Sequence, residues 1–367
     1  MAEKKKDTSI PVTVLTGFLG AGKTTLLKHL LTQPHGYKCA IIINEFGEVG
    51  IDGQLVVGAD EEVVELNNGC LCCRVRGDLV KTLSDLLKRQ KRFDYVLVET
   101  TGLADPSPIA HTFYLPQLQE KLRLDAIVTV ADARHLEGVL DKAPEALPQI
   151  AFADIVLLNK TDLATPADLD RVERRIRHIN PLAKIHRSHR SQVDMKNIFN
   201  TRARDLSAPL EIPTEKPAHG EAGHECGDHC EHEHAHAHSH DHDCGHDHEH
   251  GEDCDHEDHG HDHAGRHDDA VRSFHILDER PLDLKRTEAW LNELLAKGGE
   301  NIYRAKGILH IQGVPKRVIF QSVQMMFDVE PERFWNAGEQ RGNQLVFIGK
   351  ELDEAGIRAG FAACVAG

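Results

Sequence analysis

Three cysteines within four residues, Cys70, Cys72 and Cys73, are the side chains of this sequence best suited to holding a metal ion. Cysteine thiolates are ligands of Zn²⁺, and a tetrahedral Zn²⁺ site needs four donors. Three donors from one short segment leave one position for Glu48, water or a partner protein. Because an incomplete ligand set suits transfer better than permanent structure, we interpret the cluster as a metal site. Packing and redox chemistry are the alternatives.

A second motif predicts phosphate binding. Residues 17–24 read G-F-L-G-A-G-K-T and fit G-x-x-x-x-G-K-[ST], between an apolar strand and a helical pattern. The glycines let backbone N–H groups approach phosphate, and the following helix start favours negative charge. Lys23 is expected to reach the β- and γ-phosphates, and Thr24 to ligate Mg²⁺. The predicted nucleotide contacts are Gly17, Gly20, Ala21, Gly22, Lys23, Thr24 and Thr25.

A third segment predicts that the base is guanine. Asn159, Lys160 and Asp162 belong to N-K-T-D, which follows the apolar run Ile155–Leu158. An Asp carboxylate can accept from guanine N1–H and N2–H₂, and adenine offers neither donor. Such polar contacts discriminate by roughly 10⁴-fold or more. Residues 186–191, after the next short strand, are a weaker candidate for a further base contact.

Two further segments are candidates for catalysis and switching. Glu99 ends an apolar strand in V-E-T-T-G, where it could hold Mg²⁺ through water or position the attacking water, and Gly102 could contact the γ-phosphate. N-E-F-G-E-V-G at 44–50 has the glycines of a moving loop, with Glu45, Glu48 and Asp52 as candidate acids. No general base is singled out among them. The predicted catalytic set is Lys23, Thr24 and Glu99.

Alternating apolar strands and helical patterns between residues 10 and 200 predict an α/β fold with a doubly wound, mostly parallel sheet. The predicted strands are Val12–Leu15, Ala40–Ile43, Val63–Leu66, Tyr95–Val98, Ala126–Val130 and Ile155–Leu158. The predicted helices are Thr24–Leu31, Asp78–Lys88 and Ala167–Ile179. The direction of the strand at 63–66 is left open, because no clear helix precedes it.

The remaining chain divides into a linker and a smaller domain. Between residues 219 and 267, 36 of 49 residues are His, Asp, Glu or Cys. This composition cannot bury enough apolar area to offset ordering entropy, so we expect disorder, with metal buffering favoured over a plain acidic linker. The expected divisions are a P-loop domain 1–211, a linker 212–270 and an α+β domain 271–367. Predicted elements of the last are strands Phe274–Leu277, Ile302–Ile311, Arg317–Phe327 and Gln344–Ile348 and helices Asp283–Ala296 and Glu351–Ala362.

Composition limits the partners. The net charge of −16 comes mostly from residues 219–267, where fifteen acids face one Arg, and no basic patch indicates nucleic-acid binding. No apolar run approaches the ~20 residues of a membrane span. The N-terminus lacks a signal-peptide core, so we expect a cytoplasmic protein. In that compartment nine cysteines favour thiols and metal over disulfides.

Together these motifs resemble the CobW/HypB/UreG class of P-loop GTPases, and its CobW-like branch in particular. The resemblance is carried by G-F-L-G-A-G-K-T-T at 17–25, N-E-F-G-E-V-G at 44–50, N-G-C-L-C-C at 68–73, E-T-T-G at 99–102 and N-K-T-D at 159–162. It implies GTP hydrolysis with Mg²⁺ and delivery of Zn²⁺ or Co²⁺ to client proteins, with the C-x-C-C segment as metal site. Members often carry an acid just before the 44–50 motif, where this chain has Ile43.

We therefore predict a metal-regulated GTPase that acts as a Zn²⁺ metallochaperone. Its expected partners are GTP, divalent metal ions and a client metalloprotein, and a homodimer is left open. Cobalt delivery for cobalamin synthesis and activation of a metal hydrolase are alternatives of the same class. A zinc storage protein with vestigial hydrolysis is an alternative of another class. A nucleotide kinase is a third, disfavoured by the N-K-T-D segment.

Overall fold

The structure, a computed structural model, describes residues 8–43, 62–65, 72–88, 93–204, 271–323 and 326–367. Two β-sheets and the helices on them belong to one compact unit. The predicted linker lies outside the described residues, so its disorder and the expected domain limits stay predictions. Within the described residues, none of the helices combines the length and the apolar content needed to cross a bilayer.

The first sheet is parallel throughout, with strand order β3-β2-β4-β1-β5-β6-β7. Its strands are β1 Ile10–Thr16, β2 Cys39–Ile43, β3 Glu62–Glu65, β4 Tyr95–Glu99, β5 Leu122–Asp132, β6 Ile155–Asn159 and β7 Lys184–Arg187. Every residue of β2, β4 and β6 is buried, as expected for parallel strands covered on both faces. The six predicted strands are confirmed, and β3 runs parallel to β2.

Seven helices accompany this sheet in the described part of the chain. They are α1 Lys23–Thr32, α2 Cys72–Lys88, α3 Ser107–Thr112, α4 Pro116–Gln119, α5 Leu136–Lys142, α6 Ala146–Ala151 and α7 Pro166–Ile179. The predicted helices Thr24–Leu31 and Ala167–Ile179 are confirmed as α1 and α7. The predicted helix Asp78–Lys88 is confirmed as part of α2, which begins six residues earlier, at Cys72. The sequence did not predict α3 to α6, because their four to seven residues are too short to show a helical period.

The helices cover both faces of the sheet. On one face Leu26 and Leu30 of α1 pack in a buried cluster with Ile41 of β2. On the other face Leu79 and Leu83 of α2 belong to a second buried cluster. Both faces of the central strands are therefore closed to solvent, and a ligand can reach these strands at their ends. In such sheets ligands bind at the carboxyl ends.

The second sheet is antiparallel, with order β11-β10-β9-β12-β8. Its strands are β8 Val271–Asp278, β9 Ile302–Leu309, β10 Lys316–Val323, β11 Met326–Phe334 and β12 Asn343–Lys350, with helices α8 Leu284–Gly298 and α9 Glu354–Ala363. Trp290 of α8 and Phe361 of α9 pack edge to face at 5.9 Å within its core. This confirms the predicted α+β domain.

One predicted strand of this domain is wrong. The run Arg317–Phe327 is not continuous: β10 ends at Val323, β11 begins at Met326, and the two strands pair antiparallel. Residues 324 and 325 are Gln and Met, neither of which is a typical turn residue, so no sequence signal separates the two strands. As the edge strand, β11 is largely exposed.

A buried ion cluster joins the two sheets. Asp154, just before β6, accepts from Arg204 Nε at 2.7 Å and lies 2.8 Å from a terminal nitrogen of Arg304 in β9. The exposed fractions of the three side chains are 0%, 3% and 7%. Beside them Phe152 stacks on Tyr303 of β9 with ring centres 5.2 Å apart. The second sheet is thereby fixed to the starting end of β6, whose other end reaches the nucleotide motif.

Candidate functional site

The segment after β1 has the backbone of a phosphate loop. Gly17, Gly20 and Gly22 have φ of 134°, 71° and 113°, a region that favours glycine. Space is limiting as well. A Cβ on Gly17 would lie 2.1 Å from the Val130 carbonyl oxygen, and one on Gly22 would lie 2.5 Å from Nδ2 of Asn159. Larger residues at these positions would push the loop away from the sheet.

Lys23 closes the loop on itself. It is the first residue of α1, is 9% exposed, and donates from Nζ to the Phe18 carbonyl oxygen at 3.4 Å. The first turn of α1 contains no acidic residue, so the positive end of the helix dipole has no side-chain carboxylate in that turn to offset it. A cationic amine and a helix N-terminus converge here on the space in front of the loop, which suits phosphate.

Thr24, in the first turn of α1, contacts Glu99, the last residue of β4. Thr24 Oγ1 donates to Glu99 Oε1 at 3.0 Å, and Glu99 is 5% exposed at the end of β4. Hydroxyl and carboxylate oxygens are the donors that Mg²⁺ prefers in proteins. The pair therefore fits the predicted magnesium site, with the exposed Thr25 next to it on the first turn of α1. Bound Mg²⁺ would supply charge neutralisation at the phosphate oxygens.

The segment after Glu99 touches the phosphate loop. A Cβ on Gly102 would lie 2.7 Å from the backbone nitrogen of Leu19 and 2.6 Å from its Cδ2. Only glycine fits this contact. On its other side, Gln149 of α6 donates from Nε2 to the carbonyl oxygens of Gly102 and Ala104, at 3.0 and 3.1 Å. Gly102 is therefore held between the phosphate loop and α6.

Asn159 ties the end of β6 to the phosphate loop. Its Nδ2 donates to the Ala21 carbonyl oxygen at 2.9 Å, and its Oδ1 accepts from Ser188 Oγ at 3.1 Å and from the Ser191 backbone nitrogen at 2.8 Å. Ser191 Oγ also donates to the Gly22 carbonyl oxygen at 3.0 Å. The contacts of Ser188 and Ser191 were not predicted from the sequence, because they join residues far apart in the chain.

Lys160 has a carboxylate partner at the end of β5. Its backbone is left-handed, with φ 59°, and its Nζ donates to Asp132 Oδ2 at 2.7 Å. Burial works to raise the pKa of Asp132, but hydrogen bonds from Lys160, His135 and the Arg134 backbone outweigh it and hold the pKa below its ordinary value. The ammonium group is thus fixed, and the stem of Lys160 lines a cavity of about 370 Å³ with Phe18 and other loop residues.

Asp162, the predicted guanine-reading residue, lies near His189. The His189 Nδ1 to Asp162 Oδ1 distance is 2.6 Å, and both side chains are nearly half exposed. The hydrogen bond from His189 is the main cause that holds the pKa of Asp162 below its ordinary value. Its carboxylate is therefore ionised at neutral pH, as an acceptor for guanine donors must be. The sequence predicted a further base contact from residues 186–191, and it did not predict that His189 contacts Asp162.

The predicted metal residues fall largely outside the described part of the chain. Cys70 and Glu48 lie outside it, and so do the side chains of Cys72 and Cys73, whose backbone forms the first two residues of α2. Among the described residues, no group of three or more His, Cys, Asp or Glu side chains could hold a metal. The assignment of the three cysteines as metal ligands therefore stays a prediction. Ile43, the residue just before the 44–50 motif, is 3% exposed at the end of β2.

A parallel sheet with a phosphate loop after β1, an acid ending β4 and N-K-T-D after β6 defines a P-loop GTPase. The chain matches the families described as "CobW/HypB/UreG, nucleotide-binding domain" over residues 11–187 and "Cobalamin synthesis protein cobW C-terminal domain" over residues 271–365. The chain belongs to the CobW family of P-loop GTPases.

Named relatives agree with this membership. Zinc chaperone YjiA of Escherichia coli is 33% identical over 358 residues, which are 96% of this chain and 98% of that protein. Zinc-regulated GTPase metalloprotein activator 1 of Schizosaccharomyces pombe is 44% identical over 184 residues, which are 48% of this chain and 45% of that protein. The crystal structure of Zn(II)-bound YjiA GTPase from E. coli has a TM-score of 0.71 at 30% identity, covering 98% of this chain and 99% of that one.

Proposed function

We propose that this chain hydrolyses GTP under the control of bound metal and delivers Zn²⁺ to a client metalloprotein. The observation that carries the proposal is one of placement. Because β1, β3 and β4 run parallel, their carboxyl ends at Thr16, Glu65 and Glu99 lie at one edge of the sheet, with the phosphate loop directly after β1. The cysteine segment follows β3 in the chain, and we propose that it binds metal at this edge. A cysteine-bound metal at that edge would share it with the nucleotide.

The nucleotide half of the proposal assigns a task to each described group. Lys23 and the first turn of α1 bind the β- and γ-phosphates. Thr24 and Glu99 hold Mg²⁺, and Glu99 helps to orient the attacking water. Asp162 reads the guanine donors once His189 moves from its carboxylate, and Lys160, fixed by Asp132 at 2.7 Å, lies beside the base. These tasks are supported by distances and burial.

The metal half rests on the sequence and on what the relatives are called. Cys70, Cys72 and Cys73 bind Zn²⁺ through thiolates and leave a coordination position for exchange with a client. The names of YjiA and of the metalloprotein activator favour Zn²⁺ over Co²⁺ as cargo. The His-rich segment 219–267 buffers metal at lower affinity. We place the protein in the cytoplasm, as a monomer or homodimer.

GTP turnover at controlled free metal concentrations tests the proposal. Hydrolysis is measured over several turnovers with Zn²⁺, Co²⁺ and Ni²⁺ each buffered across a range, and with ATP as the competing nucleotide. The proposal expects turnover with GTP that changes at lower free Zn²⁺ than free Co²⁺ or Ni²⁺. GTP turnover that does not change with the concentration of any of the three metals would instead support a storage protein, the alternative that the His-rich composition favours.

A further inference from the structure

Gln149 of α6 is a buried polar side chain for which the proposed mechanism has no task. It is 1% exposed, and its amide donates to the carbonyl oxygens of Gly102 and Ala104 at 3.0 and 3.1 Å. Because a carbonyl oxygen can only accept, both contacts require the NH₂ end of the amide, which fixes its orientation. The side chain thus crosses from α6 to hold the loop that follows Glu99.

The helix that carries Gln149 is anchored independently of this loop. The backbone carbonyl oxygen of Gln149 accepts from Thr129 Oγ1 of β5 at 2.7 Å. The end of α6 is bonded by Asn180 Nδ2, which donates to the Ile150, Ala151 and Ala153 carbonyl oxygens at 2.9, 3.1 and 2.8 Å. Gln149 therefore projects from a fixed point. A site held by such supported elements is positioned more accurately than one that depends on a loop alone.

We infer that Gln149 is a positioning residue for GTP hydrolysis, because it fixes the peptide of Gly102 against the phosphate loop. The inference rests on the proposed function and on the contact between Gly102 and the γ-phosphate that the sequence predicts. Glycine samples more backbone conformations than any other residue. The N–H of Gly102 could therefore point in many directions unless neighbouring groups restrained the backbone on either side of it. The contact with Leu19 on one side and the two Gln149 hydrogen bonds on the other supply that restraint.

Three substitutions test the inference. Gln149→Met keeps the length of the side chain and removes both hydrogen bonds. Gln149→Glu keeps the shape but turns a carboxylate toward two carbonyl oxygens, which it repels. Thr129→Val is the matched control: it removes one hydrogen bond to the Gln149 backbone, at 2.7 Å, while the three bonds from Asn180 still hold α6 and both bonds from Gln149 to the loop remain.

We expect kcat for GTP to fall roughly 10- to 100-fold in both Gln149 variants, as for other small misplacements of a reacting group. The KM for GTP should stay within about threefold, because Lys23, the phosphate loop and Asp162 are unchanged and only the Gly102 contact is displaced. In Gln149→Glu the loss of kcat should shrink as the pH is lowered, since a protonated carboxyl can donate one hydrogen bond to the loop. Gln149→Met should show no such recovery, and Thr129→Val should keep the wild-type kcat.

A measurement without turnover separates this inference from the proposed function. Hydrogen exchange of the peptide covering residues 99–106 should be faster in Gln149→Met than in the wild type and in Thr129→Val. Wild-type protein that fails to hydrolyse GTP would refute the proposed function, while the exchange result would still decide whether Gln149 restrains the loop. Unchanged exchange, or wild-type kcat in both Gln149 variants, would overturn the inference. Equal loss of kcat in Thr129→Val would show a merely structural role and overturn it too.

Discussion

The substitution Asp154→Asn should destabilise the protein far more than its small change in shape suggests. Asp154 is fully buried between the guanidinium groups of Arg204 and Arg304, at 2.7 and 2.8 Å. The variant removes the only negative charge of the cluster and leaves two buried cations. Their other contacts include the Phe152 and Ala153 carbonyl oxygens, each at 3.1 Å, which cannot neutralise them.

Removing one partner of a buried ion pair costs about 3–5 kcal/mol. The unit that contains both sheets has roughly 300 residues. At about 2.1 cal/mol/K of unfolding entropy per residue, each kcal/mol lowers its melting temperature by about 1.6 °C, so a fall of about 5–8 °C is expected. Asp170→Asn is the matched control, because Asp170 pairs with Arg187 at 2.7 Å but is 59% exposed. Exposed pairs contribute less than about 1 kcal/mol. The assay is thermal unfolding of both variants and the wild type.

The difference in stability between the wild type and Asp154→Asn should depend on pH in a defined direction. Burial works to raise the pKa of Asp154, but the two arginines and the Ile127 backbone hydrogen bond hold it below its ordinary value of 3.8. A carboxyl whose pKa is lowered on folding stabilises the protein above its unfolded pKa and loses that contribution as the pH falls through its folded pKa. The wild-type advantage over Asp154→Asn should therefore hold at pH 5–7 and shrink below about pH 4. Equal melting temperatures for Asp154→Asn and Asp170→Asn would refute the reasoning.

Three other predictions follow from the site. Lys23→Ala should abolish GTP hydrolysis, because this ammonium group is the cation that we propose contacts the β- and γ-phosphates; near wild-type turnover in the folded variant would refute that role. Asp162→Asn should weaken GTP binding and erase most of its preference over ATP in competition assays, whereas equal affinities for the two nucleotides in the wild type would refute guanine reading. Deletion of residues 219–267 should lower the number of bound metal ions by several and leave basal GTP turnover and the melting temperature largely unchanged. A large drop in the melting temperature of this deletion would show that the segment is structural.

The parallel sheet could be predicted because its strands are buried on both faces, so runs such as Ile155–Leu158 are apolar without interruption. The phosphate loop and N-K-T-D could be predicted because their residues are close together in sequence. The pairing of β10 with β11 could not be predicted, because residues 324 and 325 are not typical turn residues. Buried and exposed side chains also do not alternate along β11 as they would in a half-buried strand.

The partners that position the site could not be predicted for a different reason. Gln149 reaches Gly102 across 47 residues, and Asn159 reaches Ser191 across 32. Asp132 and Lys160 meet only because β5 and β6 are neighbours in register, with Asp132 opposite Asn159. A glutamine or serine in an ordinary sequence context gives no sign of such a contact. These residues become visible only when the sheet brings their elements together.

The central claim, that nucleotide and metal control each other, is tested most directly by zinc affinity in different nucleotide states. A chelating dye competes for Zn²⁺ with the 219–267 deletion protein, loaded with GTP, GDP or no nucleotide. Allosteric coupling is reciprocal and typically amounts to about 5–150-fold in affinity. The account predicts a difference of that size between the GTP and GDP states, flattened by Cys72→Ser. Identical zinc affinities in all three states would contradict it and favour a storage protein.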